Sequence, residues 1–197
     1  MVAIAYNPAN KHQREMKYKT IVIDPPWDID FKSGWGMTKK KQYSTMNQEA
    51  LKDLPIQNLA DEKCNLFLWV TQTRLEDGLA LMRHWGFKYH ITITWNKGHG
   101  LHAHGFFRQT ELCLYGFKGG MNITKSGKSI KTNIETIPDI FYSRSNGHSK
   151  KPELLQDLID LKADGNKLEM FARRERKGWS VFGNEVKNSI DLSEYYT

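Results

Sequence analysis

The run Cys64-Asn-Leu-Phe-Leu-Trp-Val70 is apolar at every position but Asn65, and it restricts the fold more than any other stretch of the chain. A strand with one wet face alternates apolar and polar residues. A strand apolar on both faces has to be covered on both, as in the middle of a layered sheet. Tyr18 to Ile23 reads as a strand ending in the turn Asp24-Pro25-Pro26, and Asn47 is placed to cap a short helix reaching Asp53. Thr73-Arg-Leu-Glu76 has the spacing of a capping box opening a helix that Gly86 can close. Tyr89 to Trp95 alternates with period two, Glu111 to Phe117 is a further strand, and Asp139 to Tyr142 a short one. Pro152 sits at the start of a helix carrying Leu154, Leu155, Leu158, Ile159 and Leu161, and the strands Lys167 to Ala172 and Trp179 to Phe182 follow. Alternating strands and helices predict an α/β fold with one sheet flanked by helices on both faces, where ligands gather at the carboxyl ends of the strands.

The 197 residues, 39% of them hydrophobic, suit one domain spanning 1–197, with 1–17 and the polar tail 188–197 expected to be flexible. No apolar run is long enough to cross a bilayer and the start lacks a signal pattern, so a cytoplasmic protein is expected. Cys64 and Cys113 alone cannot build a disulfide framework or a cysteine-rich zinc site. His99, His102 and His104 share a Gly-rich segment read as a mobile loop, and with no fixed element, carboxylate or cysteine beside them no metal is expected. Phe106, Phe107 and Arg108 close that loop and suit contact with a base or phosphate, or packing in the core.

Lys and Arg outnumber Asp and Glu by 29 to 22. The excess concentrates in two acid-free segments, one holding Lys39, Lys40 and Lys41 and the other Lys125 and Lys128. Basic loops on a globular body suit a polyanion such as nucleic acid, although a solubilising surface gives the same pattern.

Asp24-Pro25-Pro26-Trp27, directly after a strand, suits methylation of an aromatic amine. The amino nitrogen of adenine is a poor nucleophile because its lone pair is delocalised into the ring. A carboxylate accepting one N–H and a backbone carbonyl accepting the other hold that nitrogen nearer to tetrahedral geometry. Asp24 supplies the carboxylate, and the prolines restrict the turn so that the Pro25 carbonyl converges on the same point. Trp27 offers a face on which an extruded base can stack. Methyl transfer from a sulfonium is a direct displacement, so no enzyme nucleophile is needed.

Asp24 to Trp27, the stretch Tyr43 to Met46, Leu66-Phe-Leu-Trp-Val70, Trp95, Glu111 to Lys118, His148 to Glu153, Leu168 to Arg173 and Gly183-Asn-Glu185 together resemble the adenine N6-methyltransferase family. This is the family of the eukaryotic messenger-RNA methyladenosine writer and its prokaryotic and phage relatives. The resemblance implies a Rossmann-like methyltransferase fold with permuted motif order, which accounts for the missing Gly-x-Gly-x-x-Gly. It also implies S-adenosyl-L-methionine as cofactor, with Lys151 meeting its carboxylate and Glu169, Arg173, Asn184 and Glu185 lining its ribose and adenine. Tyr43, Glu111 and the basic loops are the substrate-side candidates. Arg173 is followed by Arg174-Glu175-Arg176-Lys177, a form similar to the bacterial and phage branch, so DNA is expected in preference to RNA. The alternatives are the same reaction on RNA, methylation of a small molecule or protein amine, and a catalytically inactive nucleic-acid-binding subunit. Whether the chain works as a homodimer or with a partner subunit stays open.

Overall fold

The computed structural model describes residues 16–28, 45–103, 105–123, 136–144 and 150–196. Its seven strands are β1 (Tyr18–Ile23), β2 (Ala60–Val70), β3 (Lys88–Ala103), β4 (Phe106–Lys118), β5 (Ile140–Tyr142), β6 (Lys167–Met170) and β7 (Trp179–Phe182), joined in the order β5-β3-β4-β2-β1-β6-β7. β1 runs parallel to both β2 and β6, and β6 parallel to β7. β4 runs antiparallel to β2 and β3, so the sheet is mixed. The helices are α1 (Gln48–Lys52), α2 (Ile56–Leu59), α3 (Leu75–His84) and α4 (Leu154–Lys162).

The double-sided apolar run of β2 has the expected cause. Leu66, Leu68 and Val70 pack with Leu51, Ile56, Leu59, Leu81 and Met82 from α1, α2 and α3. Phe67 and Trp69 pack on the other face with Leu155 and Ile159 of α4. A layered α/β architecture, with helices on both faces of the sheet, follows. β1 pairs with β2 on one side and with β6, which the chain enters through α4, on the other, so the change in strand order falls at the carboxyl ends of β1 and β6, the place where sheets of this class form a ligand crevice. Asp24 leaves β1 there, and its N–H donates to the Met170 carbonyl at 3.4 Å.

Local chemistry explains several boundaries. Asn47 caps α1 by accepting from the Ala50 N–H at 2.9 Å. Gly86, at φ +80°, closes α3: its N–H reaches the Arg83 carbonyl and that of Phe87 the Met82 carbonyl, the two bonds of a Schellman ending. The capping box at Thr73 does not form. Residues Gln72–Arg74 make a 3-10 turn, α3 starts at Leu75 without a side-chain cap, and the Thr73 hydroxyl bonds to that of Thr71 instead. Pro152 lies before the cap residue Glu153 rather than inside α4.

Two larger expectations are corrected. The Gly-rich histidine segment is not a loop: β3 continues through it to Ala103 and pairs with β4 as far as Phe106. Backbone pairing across the hairpin outweighs the local preference of glycine for turns. The tail is not loose either, because Ile190, Leu192 and Tyr195 are buried, the Asn58 side chain donates to the Tyr195 carbonyl at 2.7 Å, and Tyr195 Oη donates to the Met16 carbonyl. The polar composition of the tail hid three apolar anchors. Replacing Tyr195 by Ala is expected to lower stability by about 3 kcal/mol, measured as a fall in Tm, whereas a flexible tail would show no change.

Candidate active site

Lys151, three residues before α4, joins the end of β1 to the middle of β4. Its Nζ stands 2.8 Å from Asp24 Oδ1, 2.9 Å from Oδ2, and 3.2 Å from Glu111 Oε2. The other Glu111 oxygen accepts from Lys97 Nζ at 3.0 Å. Acids and cations thus alternate in the order Asp24, Lys151, Glu111, Lys97. The Lys151 ammonium also lies 5.5 Å from the centre of the Trp69 ring, which meets Trp95 edge to face.

Burial is the largest single influence on each of the three groups, but it sets the net direction only at Asp24. It raises the Asp24 pKa above the ordinary carboxylate value even though the Lys151 charge and hydrogen bond oppose it, and the nearby Glu111 charge adds to the rise. Burial would also raise Glu111, but Lys151 and Lys97 together hold it below its ordinary value. Burial would lower Lys151, yet the two carboxylates leave it raised, so it is a firmly charged ammonium. Burial pushes the Cys113 thiol well up, with Asp24 adding to the effect and Lys151 opposing it, and pushes Cys64 up to about 12, so both stay neutral thiols. Carboxylates and an ammonium carry the polar chemistry of this site.

The turn holding Asp24 is fastened on several sides. The Pro25 carbonyl accepts from the Trp27 N–H at 2.8 Å and keeps a second lone pair. The Pro26 carbonyl accepts from the Met46 N–H at 2.9 Å, and Trp27 and Met46 form a parallel bridge. Arg74 donates to the Asp28 carbonyl while paired with Asp77. Trp27 departs from expectation here. Its ring is 8% exposed in the core and its Nε1 donates to the Trp69 carbonyl at 2.9 Å. That bond fixes the turn against β2 and leaves little face for a base.

Beyond β6, Phe171 takes a left-handed backbone at φ 61°, costly for a bulky residue. The loops after β6 and β7 run against each other so tightly that a Cβ on Gly183 would stand 2.1 Å from the Ala172 carbonyl oxygen. Glu169 Oε1 accepts from Gln156 Nε2 at 3.4 Å, while Oε2 is buried with no partner among the described residues. Burial raises the Glu169 pKa, Arg174 and Arg176 oppose that rise and Asp24 reinforces it, which places Glu169 in the same field as the catalytic candidate. Arg173 also acts on Asp24 through its charge, and it is ion-paired with Glu185 at 2.8 Å. Asn184 is exposed in the turn after β7. Arg176 holds this region to α4 through Asp157 and Asp160, each at 2.7 Å.

The structure therefore brings together Asp24, Glu111, Lys151, Glu169 and Arg173, with Glu185 joined through Arg173 and Asn184 beside it. Lys39, Lys40, Lys41, Tyr43, Lys125 and Lys128 lie outside the described residues. Lys97, Trp69 and Gln156 were not foreseen: Lys97 reaches Glu111 only through the register of β3 on β4, which no local spacing reveals. An amino-acid sulfonium cofactor needs a cation for its carboxylate and acceptors for its ribose hydroxyls. Buried Lys151 and the bare Oε2 of Glu169 fit those needs.

Replacing Lys151 by Met is expected to raise the Asp24 pKa further, because burial and the Glu111 charge are then opposed only by the more weakly acting Arg173. Replacing Glu111 by Gln is expected to lower it. Carboxyl carbon-13 NMR titration of Asp24 reads both, and shifts in the same direction would contradict the charge alternation.

The MT-A70 family model matches residues 18–185. The chain is 26% identical over 198 residues to the type II methyltransferase M.MunI of Mycoplasma sp, covering 89% of this chain and 81% of that protein. It is 27% identical over 181 residues to the human N(6)-adenosine-methyltransferase catalytic subunit METTL3, covering 86% of this chain and 28% of that one. It is also 33% identical over 130 residues to the N6-adenosine-methyltransferase non-catalytic subunit MTB of Arabidopsis thaliana, covering 61% of this chain and 16% of MTB. The chain spans about a quarter of the length of the plant and animal N(6)-adenosine-methyltransferases it matches.

Proposed function

We propose that this chain, which belongs to the MT-A70 family, transfers a methyl group from S-adenosylmethionine to the exocyclic N6 amine of adenine in DNA. The observation that carries the reading is the Asp24 carboxylate, held at the carboxyl end of β1 with both oxygens engaged by one N–H donor group, the Lys151 ammonium. An amine is the kind of group this carboxylate is set to receive. When adenine takes that place, Asp24 accepts one amino N–H and the free lone pair of the Pro25 carbonyl accepts the other. The nitrogen lone pair is then directed out of the ring plane. Lys151, released from Asp24, stays bound to Glu111 and turns its charge to the cofactor carboxylate. Glu169, Arg173, Asn184 and Glu185 hold the ribose and adenine of the cofactor. S-adenosylmethionine supplies an electrophilic methyl on sulfur, and the neutral thiols of Cys64 and Cys113 leave the amine as the attacking group.

Replacing Asp24 by Ala is expected to lower methyl transfer by about a hundredfold or more, measured as label incorporated from the cofactor, while equilibrium dialysis still detects cofactor binding. Near-native turnover would remove Asp24 from the mechanism. Absence of cofactor binding in the native chain would favour an inactive nucleic-acid-binding subunit.

DNA is preferred over RNA because the residues after Arg173 resemble the bacterial and phage branch, whose stand-alone members are expected to modify DNA. Coverage of 81% of M.MunI fits the same branch. Base chemistry does not separate the polymers, since the amine is the same in both and only 2′-hydroxyl contacts and helix shape differ. Labelled cofactor offered with matched DNA and RNA oligonucleotides is expected to yield N6-methyldeoxyadenosine on nucleoside mass analysis. Label found only in N6-methyladenosine would overturn the DNA assignment and leave the reaction standing.

A further inference from the structure

The β3–β4 hairpin extends past the level of Asp24 and Glu111, and among the described residues its far end carries none of the buried core. Trp95 pairs with Glu111 at the level of the site, and the ladder then continues through Leu101 opposite Arg108 to Ala103 opposite Phe106. Residues 97–100 bulge between those pairs. Gly98 there takes φ +70°, and a Cβ on Gly100 would stand 1.9 Å from the Arg108 carbonyl oxygen, so glycine is required for the bulge to close. Bulges of this kind bend a hairpin and re-aim its end, and they are common beside active sites. Phe107 lies four residues along β4 from Glu111, a rise of about 13 Å.

The end of this arm carries Phe106 at 72% exposure and Phe107 at 46%, followed by exposed Arg108. Gly105 turns the chain at φ +81°. Residues 96–110 contain Lys97, Arg108 and three histidines, and no Asp or Glu. Aromatic rings on a tip exposed to solvent are unfavourable unless something covers them, and an acid-free arm is matched by a polyanion. An adenine inside a duplex reaches Asp24 only after leaving its stack, and apolar wedges inserted at a base step are a general way to unstack it.

We infer that the hairpin tip is a wedge that enters the duplex beside the target adenine, with Phe106 and Phe107 stacking in the gap and Arg108 on the adjoining phosphate. This rests on the methyltransferase reading above and adds to it a paired substrate and the element that opens it.

The test compares the native chain with a Phe106→Ala/Phe107→Ala double variant on two oligonucleotides of one sequence, one fully paired and one with the target adenine opposite an abasic site. Circular dichroism and Tm verify that the variant is folded. Methylation of the paired substrate is expected to fall about tenfold or more, with methylation of the unpaired one within about twofold of native, because its unpairing cost is already removed. Equal losses on both, or no loss on either, overturn the wedge. Arg108→Gln is expected to reduce the salt dependence of duplex binding by about one counterion, and an unchanged slope counts against the phosphate contact. If the native chain methylates neither oligonucleotide, the methyltransferase reading fails. The wedge is then judged by 2-aminopurine at the target position, whose fluorescence should rise with the native chain and not with the double variant. No rise overturns it. So does a native oligomer that the double variant converts to a smaller species, because the tip would then be a contact between protein chains.

Discussion

The Lys151 ammonium shared by Asp24 and Glu111 is the interaction on which the arrangement of the site depends. The three side chains come from the end of β1, the start of the catalytic half of β4, and the segment leading into α4. Each is largely enclosed. Two carboxylates brought this close without a cation would repel, and one would take up a proton. The antiparallel insertion of β4 beside β2 matters for this reason: it turns Glu111 toward the parallel strands and supplies the second acid that keeps Lys151 charged. A buried ion pair of this kind contributes little net stability because desolvation offsets the attraction. Its effect is on position and charge: Lys151 holds both oxygens of Asp24 and opposes the rise that burial imposes on its pKa.

The supporting structure is arranged to keep that carboxylate still. Trp27 is bonded into β2, Pro26 is bonded to Met46, and Arg74 holds the backbone beyond the turn. On the far side of the crevice, Arg176 bridges two aspartates of α4 and steadies the loop that follows β6. The turn at Asp24 therefore draws its rigidity from three separate segments of the chain, β2, the stretch at Met46 and the turn at Arg74. Trp27 illustrates the consequence: a residue that looks like a substrate platform in isolation serves in the structure as a fastener.

Most strands and helices, and the interior position of β2, were legible in the sequence because periodicity and turn residues are local. β1 and β7 have the boundaries their residues imply, and Asn47 caps α1 as its position suggests. What escaped was set by pairing at a distance. β2, β3 and β4 all extend beyond their apolar cores, since ladder hydrogen bonds carry a strand through residues such as Asp61, Glu62 and Gly98 that have little strand preference of their own. The site was legible as a set of residue types but not as a network. Asp24, Glu111 and Lys151 could be nominated one at a time; that a single ammonium joins the two acids, with Lys97 behind them, follows only from register and from the placement of α4.

The tail that packs against the start of β1 has a consequence for how such a fold can be connected. Tyr195 bonds to Met16, and the tail also anchors on Asn58, so residues 190–195 lie beside the segment that enters β1. A short tether between them would make the polypeptide a ring with almost no added entropic cost. The sheet order and the charges at its carboxyl edge depend on which strands are neighbours and not on which of them is translated first. A gene could therefore open that ring at a different surface loop, place β6 and β7 ahead of β1 or behind it, and still encode the same sheet order.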